Sequence, residues 1–146
     1  MVITVAGPII MSAYLGVAEA AHDLALQHLQ HKRDDPEVWS LVGELENALA
    51  TARLAVQGMV ELCADYAFTP DVATVNAVLI RKTIAAQALI TAVEKALEAV
   101  GGTGLLRSVG LERLLRDVHG AQFHPLTAKR QHRFTGRLAF GLDPAD

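Results

Sequence analysis

TPDVATVNAVLIRKTIAAQALITAVEKALEAVGG, residues 69–102, is the stretch whose reading decides the fold. Apolar residues recur through it at three- and four-residue spacing, with no proline after Pro70 and no glycine before the Gly101-Gly102 pair. Thr69-Pro70-Asp71 supplies a helix start of cap, proline and first-turn acid, and the glycines supply a stop. The spacing therefore predicts one long helix ending at Val100.

Working outward, the same grammar repeats. Asp35 is a good N-cap and Pro36 a good first-turn residue for a helix carrying Val38, Leu41, Val42, Leu45, Leu49, Ala52, Val56, Met59, Val60 and Cys63, predicted to end near Ala67. Before it, a helix is expected to begin near Pro8, where a missing N–H costs nothing. It runs through Ile9, Ile10, Ala13, Val17, Ala21 and Leu24 towards Leu29. Gly16 costs about 1 kcal/mol inside that helix relative to Ala, which predicts a close helix crossing there. Lys32-Arg33-Asp34-Asp35 forms the turn. Beyond the long helix, Leu111 to Val118 reads as a short fourth helix, and residues 126–140 as a last one closing at Gly141 before Pro144. Long helices joined by tight turns are antiparallel neighbours. The expectation is an all-α, antiparallel four-helix bundle with a short extra C-terminal helix, in one domain over residues 1–146.

Composition agrees and narrows the class. Of 146 residues, 51% are hydrophobic and 20% charged, with mean hydropathy +0.28. The excess is Ala, Leu and Val, which predicts apolar surface buried against a partner subunit or another domain. The longest uncharged stretch, residues 1–18, just reaches membrane-spanning length, but Gly7-Pro8 interrupts it and no basic flank precedes it, so no membrane role is expected. A single cysteine, Cys63, implies no disulfide and makes a cytoplasmic location the default. Net charge is −3, yet residues 107–137 carry seven Lys/Arg against two Asp/Glu. That segment reads either as a solvated basic face or as a patch facing a phosphate-bearing ligand or acidic neighbour. Nucleic acid is not expected, since no interleaved aromatics or binding motif accompany the charge.

Metal chemistry is unsupported. Glu19-Ala20-Ala21-His22 has the Glu-x-x-His spacing of di-iron bundles, but no second copy exists, which leaves both as solvent-facing residues. His28 and His31 share a face without a third ligand. Gly101-Gly102-Thr103-Gly104 is glycine-rich but follows a helix rather than a strand, so by itself it reads as a helix C-cap and a sharp reversal.

The whole string EKALEAVGGTGLLRSVGLERLLRD, residues 94–117, says more. A helix ending in apolar-Gly-Gly-x-Gly, followed by a short Leu-Glu-Arg-Leu-Leu-Arg-Asp helix, resembles the C-terminal helical domain of the acyl-CoA dehydrogenase and flavin-dependent monooxygenase superfamily. Residues 8–23 and 44–54 are similar to that domain's first two helices, and residues 79–117 match best. The resemblance implies the C-terminal part of a larger FAD-dependent oxidoreductase of acyl-CoA dehydrogenase type, inactive as this domain alone, with the same domain of a flavin-dependent monooxygenase, or a non-catalytic helical assembly module, as the alternatives. It implies a bundle that pairs subunits into homo-oligomers and an acyl-CoA or other small-molecule substrate. It also implies a glycine loop that covers the adenosine half of a neighbour's FAD. By the same resemblance Gly101, Gly102 and Gly104 are candidate cofactor contacts, since bare backbone can approach a ligand closely.

Departures from the family pattern are informative. Where the family often has Gln before the loop, Glu98 puts a charge that would sit badly near phosphate. The Arg-Phe-Gly expected after the first helix is replaced by Lys32-Arg33-Asp34-Asp35. The glutamate that abstracts the substrate proton in dehydrogenases falls at Pro125, or in some members near Ala6 or Gly7, and none of these ionises. His124 stands where related monooxygenases keep a histidine beside the flavin, and is the candidate catalytic residue; an ordinary histidine at the turn before Pro125 reads the same in sequence.

Overall fold

A computed structural model describes residues 2–144. Its elements are α1 (Val2–His28), α2 (Pro36–Cys63), α3 (Val72–Val100), α4 (Leu111–Val118) and α5 (Ala128–Ala139), linked by short 3-10 turns, with no strand among the described residues. The order and kind of elements are those expected from the spacing.

The caps explain where α2 and α3 begin. The Asp35 carboxylate accepts the backbone N–H of Glu37 at 2.9 Å, with Pro36 in the first turn. At α3 the cap is Asp71, not Thr69: its extended backbone lets the carboxylate reach the Thr74 N–H at 2.7 Å, and Pro70 lies outside the helix. Those bonds hold the Asp71 carboxyl below its ordinary value, chiefly through the Thr74 backbone N–H. The end of α2 also differs from expectation. It stops at Cys63, and Ala64, Asp65 and Tyr66 follow with φ of 43°, 48° and 69°. Three consecutive non-glycine residues in the left-handed region reverse the chain, a turn that no Gly or Asn announces.

α1 begins six residues before Pro8, not at it. A proline inside a helix leaves the carbonyl four residues earlier without its donor. That carbonyl belongs to Thr4, and the Cys63 thiol donates to it at 3.4 Å from the end of α2. Gly16 marks no crossing, because it is exposed with open space around it. The close approaches are at Gly7, where an added Cβ would lie 3.2 Å from Val78, and at Gly58, where it would lie 2.8 Å from the Arg81 side chain.

α3 is the central helix. Ala85, Ala86, Ala88, Leu89, Ala92, Val93 and Ala96 are buried on more than one side, and α1, α2 and α4 all pack against it. Small side chains let neighbouring helices come close from several directions, which accounts for the alanine excess. α1 and α3 are each long and apolar enough to cross a membrane by length and composition; α3 buries one part of its apolar surface inside the bundle and leaves another, including Val72 and Ile84, exposed. α4 returns along α3 from Leu111, beside Gly104, towards Lys82, and α5 closes against α3 through Gln131, Thr135 and Asn76.

Candidate functional site

The candidate residues fall in two places. Gly101, Gly102 and Gly104 cap the C-terminal end of α3. His124 lies in the loop between α4 and α5, where Lys82 of α3 holds it. Eighteen residues of α3 separate Lys82 from Val100, roughly 27 Å at 1.5 Å per residue. The structure therefore does not gather the four into one pocket.

The three loop glycines have different reasons to be glycine. Gly101 has φ 79° and ψ −164°, a conformation essentially closed to residues with a Cβ, and its N–H caps α3 on the Leu97 carbonyl at 2.8 Å. Gly102 is exposed, with nothing near where a Cβ would sit. Gly104 is buried; an added Cβ would come within 2.6 Å of Leu97 and 3.4 Å of Leu111 and Val100. Gly104 thus serves the packing of its own loop, while Gly101 and Gly102 are exposed with open space where a Cβ would sit. Glu98 is no isolated charge beside them: Lys95 bridges it at 2.8 Å to Glu44 at 2.5 Å, and both carboxylates raise the lysine's pKa.

At the same end, Leu29, Val38 and Ala99 form a small apolar cluster joining α1, α2 and α3. Beside it, a cleft of about 370 Å³ is lined by Leu26, Arg33, Trp39 and Val42. The Trp39 indole donates to the Arg33 carbonyl at 2.6 Å and still leaves the ring largely exposed.

The His124 region is built from three elements. Lys82, only 2% exposed, donates its ammonium to the carbonyls of His124 at 2.8 Å and Leu126 at 3.1 Å. Burial pushes its pKa down, and the carbonyls hold the charge that burial disfavours. The Tyr14 hydroxyl of α1 stands 2.9 Å from His124 Nε2, and the two rings meet edge-on at 5.5 Å and 61°. Gly120 makes room: a Cβ there would lie 2.5 Å from the hydroxyl. His124 is thus fixed at its main chain and at its ring. Sequence reasoning passed over Tyr14 and Lys82. The available signal was Lys82 itself, a charge in the apolar stripe between Leu79 and Ala86.

The Glu-x-x-His pair is not simply solvent-facing. Glu19 accepts from Arg53, and His22 bridges Asp23 at 2.9 Å and Glu46 at 2.7 Å, tying α1 to α2. No cluster of three His, Cys, Asp or Glu suited to a metal exists among the described residues. In the basic segment, Arg107, Arg113, Arg116, Lys129, Arg130 and Arg133 are exposed.

Comparison with known proteins places the chain. The profile described as "Acyl-CoA dehydrogenase, C-terminal domain" matches residues 9–129. Cyclohex-1-ene-1-carbonyl-CoA dehydrogenase of Geobacter metallireducens is 26% identical over 130 residues, 84% of this chain and 33% of that protein. The chain thus spans about a third of that relative's length. Among solved structures, KijD3 in complex with FMN and a dTDP-linked amino-keto sugar superposes with a TM-score of 0.82 at 27% identity, over 96% of this chain and 37% of that one. XiaF from a Streptomyces species, in complex with FADH2 and glycerol, shares the fold with a TM-score of 0.86 at 23% identity, over 99% and 40% of the two chains. The chain belongs to the family of acyl-CoA dehydrogenase C-terminal domains, whose helical bundle it folds into.

Proposed function

We propose that this chain is the cofactor-covering and subunit-pairing domain of an FAD-dependent oxidoreductase, and that the chemistry it serves is of the oxygen-using, monooxygenase kind. The observation that carries the second half is the anchoring of His124 by Tyr14 and Lys82, set against Ala6, Gly7 and Pro125, which cannot accept a proton. Bound flavin supplies the redox chemistry. This chain's residues supply the rest: Gly101 and Gly102 give an adenosine moiety a bare backbone surface, and His124 gives or takes a proton at its imidazole. FMN in KijD3 supports a flavin partner. The dehydrogenase reading stands as the alternative because the Geobacter relative is one; its base would have to come from outside the two family positions.

Pairing is assigned to the α2–α3 face. A shallow groove of about 420 Å³ runs between Thr51, Leu54, Ile80, Arg81 and Ile84, with Leu54 75% and Ile84 42% exposed. A second copy of the bundle is its proposed occupant. Sedimentation equilibrium is expected to show self-association at micromolar concentration, weakened by Leu54→Glu; a pure monomer counts against the assignment.

FAD binding by this chain alone is expected to be no tighter than about 10 µM, near −7 kcal/mol, because the glycine loop offers only part of the contact. The chemistry is tested on the intact flavoenzyme by paired assays. These are acyl-CoA-dependent flavin bleaching without oxygen, and substrate oxygenation with reduced flavin and oxygen. His124→Ala is expected to cut oxygenation about 100-fold. Bleaching at full rate, indifferent to His124→Ala, overturns the monooxygenase reading.

A further inference from the structure

We propose that Tyr14 is a positioning residue that fixes which nitrogen of His124 carries the proton: the phenol donates to Nε2, so that Nδ1–H is the imidazole donor left for a bound ligand. A neutral imidazole has one N–H and one bare nitrogen, and its partners decide which is which. Here the partner is a phenol 2.9 Å from Nε2. A phenolic O–H is the better donor of the two groups, and an imidazole nitrogen the better acceptor.

The surroundings point the same way. Were Nε2 to donate to the phenol oxygen, the phenol's own proton would need another acceptor. On one side the hydroxyl is closed off by the Gly120 main chain, so near that a Cβ there would lie 2.5 Å away. Among the hydrogen bonds of the described residues, the hydroxyl's partner is His124. Nor can the ring turn away easily. Lys82 grips the carbonyls of His124 and Leu126 at 2.8 and 3.1 Å, and the Tyr14 ring meets the imidazole edge-on at 5.5 Å. Three segments far apart in sequence thus converge on a single proton position. Its catalytic consequence rests on the reading of His124 given above, whereas the tautomer itself does not.

The test therefore needs no flavin. Two-bond nitrogen–proton NMR correlations on the chain labelled with ¹⁵N-histidine report the tautomer of each ring, and His124→Gln identifies the His124 signal. With the ring neutral, the Nδ1–H form is expected to dominate in the wild type. Tyr14→Phe keeps the ring contact and removes only the hydroxyl; it is expected to change the tautomer ratio about fivefold towards Nε2–H, the equivalent of one ordinary hydrogen bond. Gly120→Ala, which pushes the hydroxyl aside, is expected to move the ratio the same way, so the proposal does not hang on one variant. A wild-type ring already in the Nε2–H form, or a ratio unmoved by both folded variants, overturns it. In the intact flavoenzyme, Tyr14→Phe is expected to alter the pH profile of oxygenation. An unaltered profile with a shifted tautomer overturns the catalytic role of His124 and leaves the Tyr14 assignment standing.

Discussion

The two loops that flank α4 are close in sequence and opposite in construction. The glycine loop is local: its bonds run from Gly101 to Leu97, from Gly104 to Gly101 and from Leu106 to Thr103, all within the last turns of α3 and the loop itself. The loop carrying His124 has its anchors far away, in Tyr14, 110 residues earlier, and in Lys82, 42 residues earlier. A local loop keeps its shape through backbone conformations that only certain residues adopt, and so leaves a readable motif. A loop pinned by distant helices keeps its shape through partners, and its own sequence reads as any turn would. The two loops should therefore fail in different ways when altered.

The largest expected effect is at Lys82. Lys82→Ala removes a buried side chain and leaves the carbonyls of His124 and Leu126 without their donor, and should lower the unfolding free energy by about 3 kcal/mol in urea titrations. Lys82→Met keeps most of the packing, so its loss should be smaller and concentrated in faster amide exchange at residues 124–127. A loss within about 0.5 kcal/mol for Lys82→Ala, the range of an unremarkable surface change, would erase the contrast between the loops.

Next comes Gly101→Ala, which forces a Cβ into φ 79° and should cost about 2 kcal/mol without touching any distant residue. Its neighbour sharpens the point. Gly102→Ala meets open space, so stability should change by less than about 0.5 kcal/mol, while cofactor retention in the intact enzyme falls if the exposed backbone is the contact surface. Equal stability losses at both glycines would show that the loop is held by packing rather than by backbone conformation.

The smallest effect concerns the polar seam outside both loops. Burial lowers the pKa of His22, but its hydrogen bonds to Asp23 and Glu46 outweigh this and leave it above 6.5. A raised histidine contributes stability that is fully present below its unfolded value and is lost as pH rises through the folded one. The urea midpoint should therefore decline as pH rises just above 6.5, and His22→Gln should flatten that decline. A decline of the same slope in the variant would assign the effect elsewhere.

By itself, the sequence determined the five helices and most of their ends, because period, capping carboxylates and glycine stops are properties of neighbouring residues. It determined the family too, since the glycine loop and the helix after it are contiguous. It misplaced the start of α1, because whether Pro8 can lie inside a helix depends on a donor for the Thr4 carbonyl, and that donor is the Cys63 thiol 59 residues away. Gly16 likewise reads as the crossing from its place inside the helical pattern, whereas the packing of Val78 puts a close approach at Gly7 instead. The same holds for the site. His124 was visible as a residue type at a family position, but not Tyr14 beside its ring or Lys82 beneath its carbonyl. Periodicity says which face of a helix is apolar; it does not fix how far each helix slides and rotates against the next, and hydrogen bonds between α1, α3 and the loop after α4 form only once that rotation is set by the packed core.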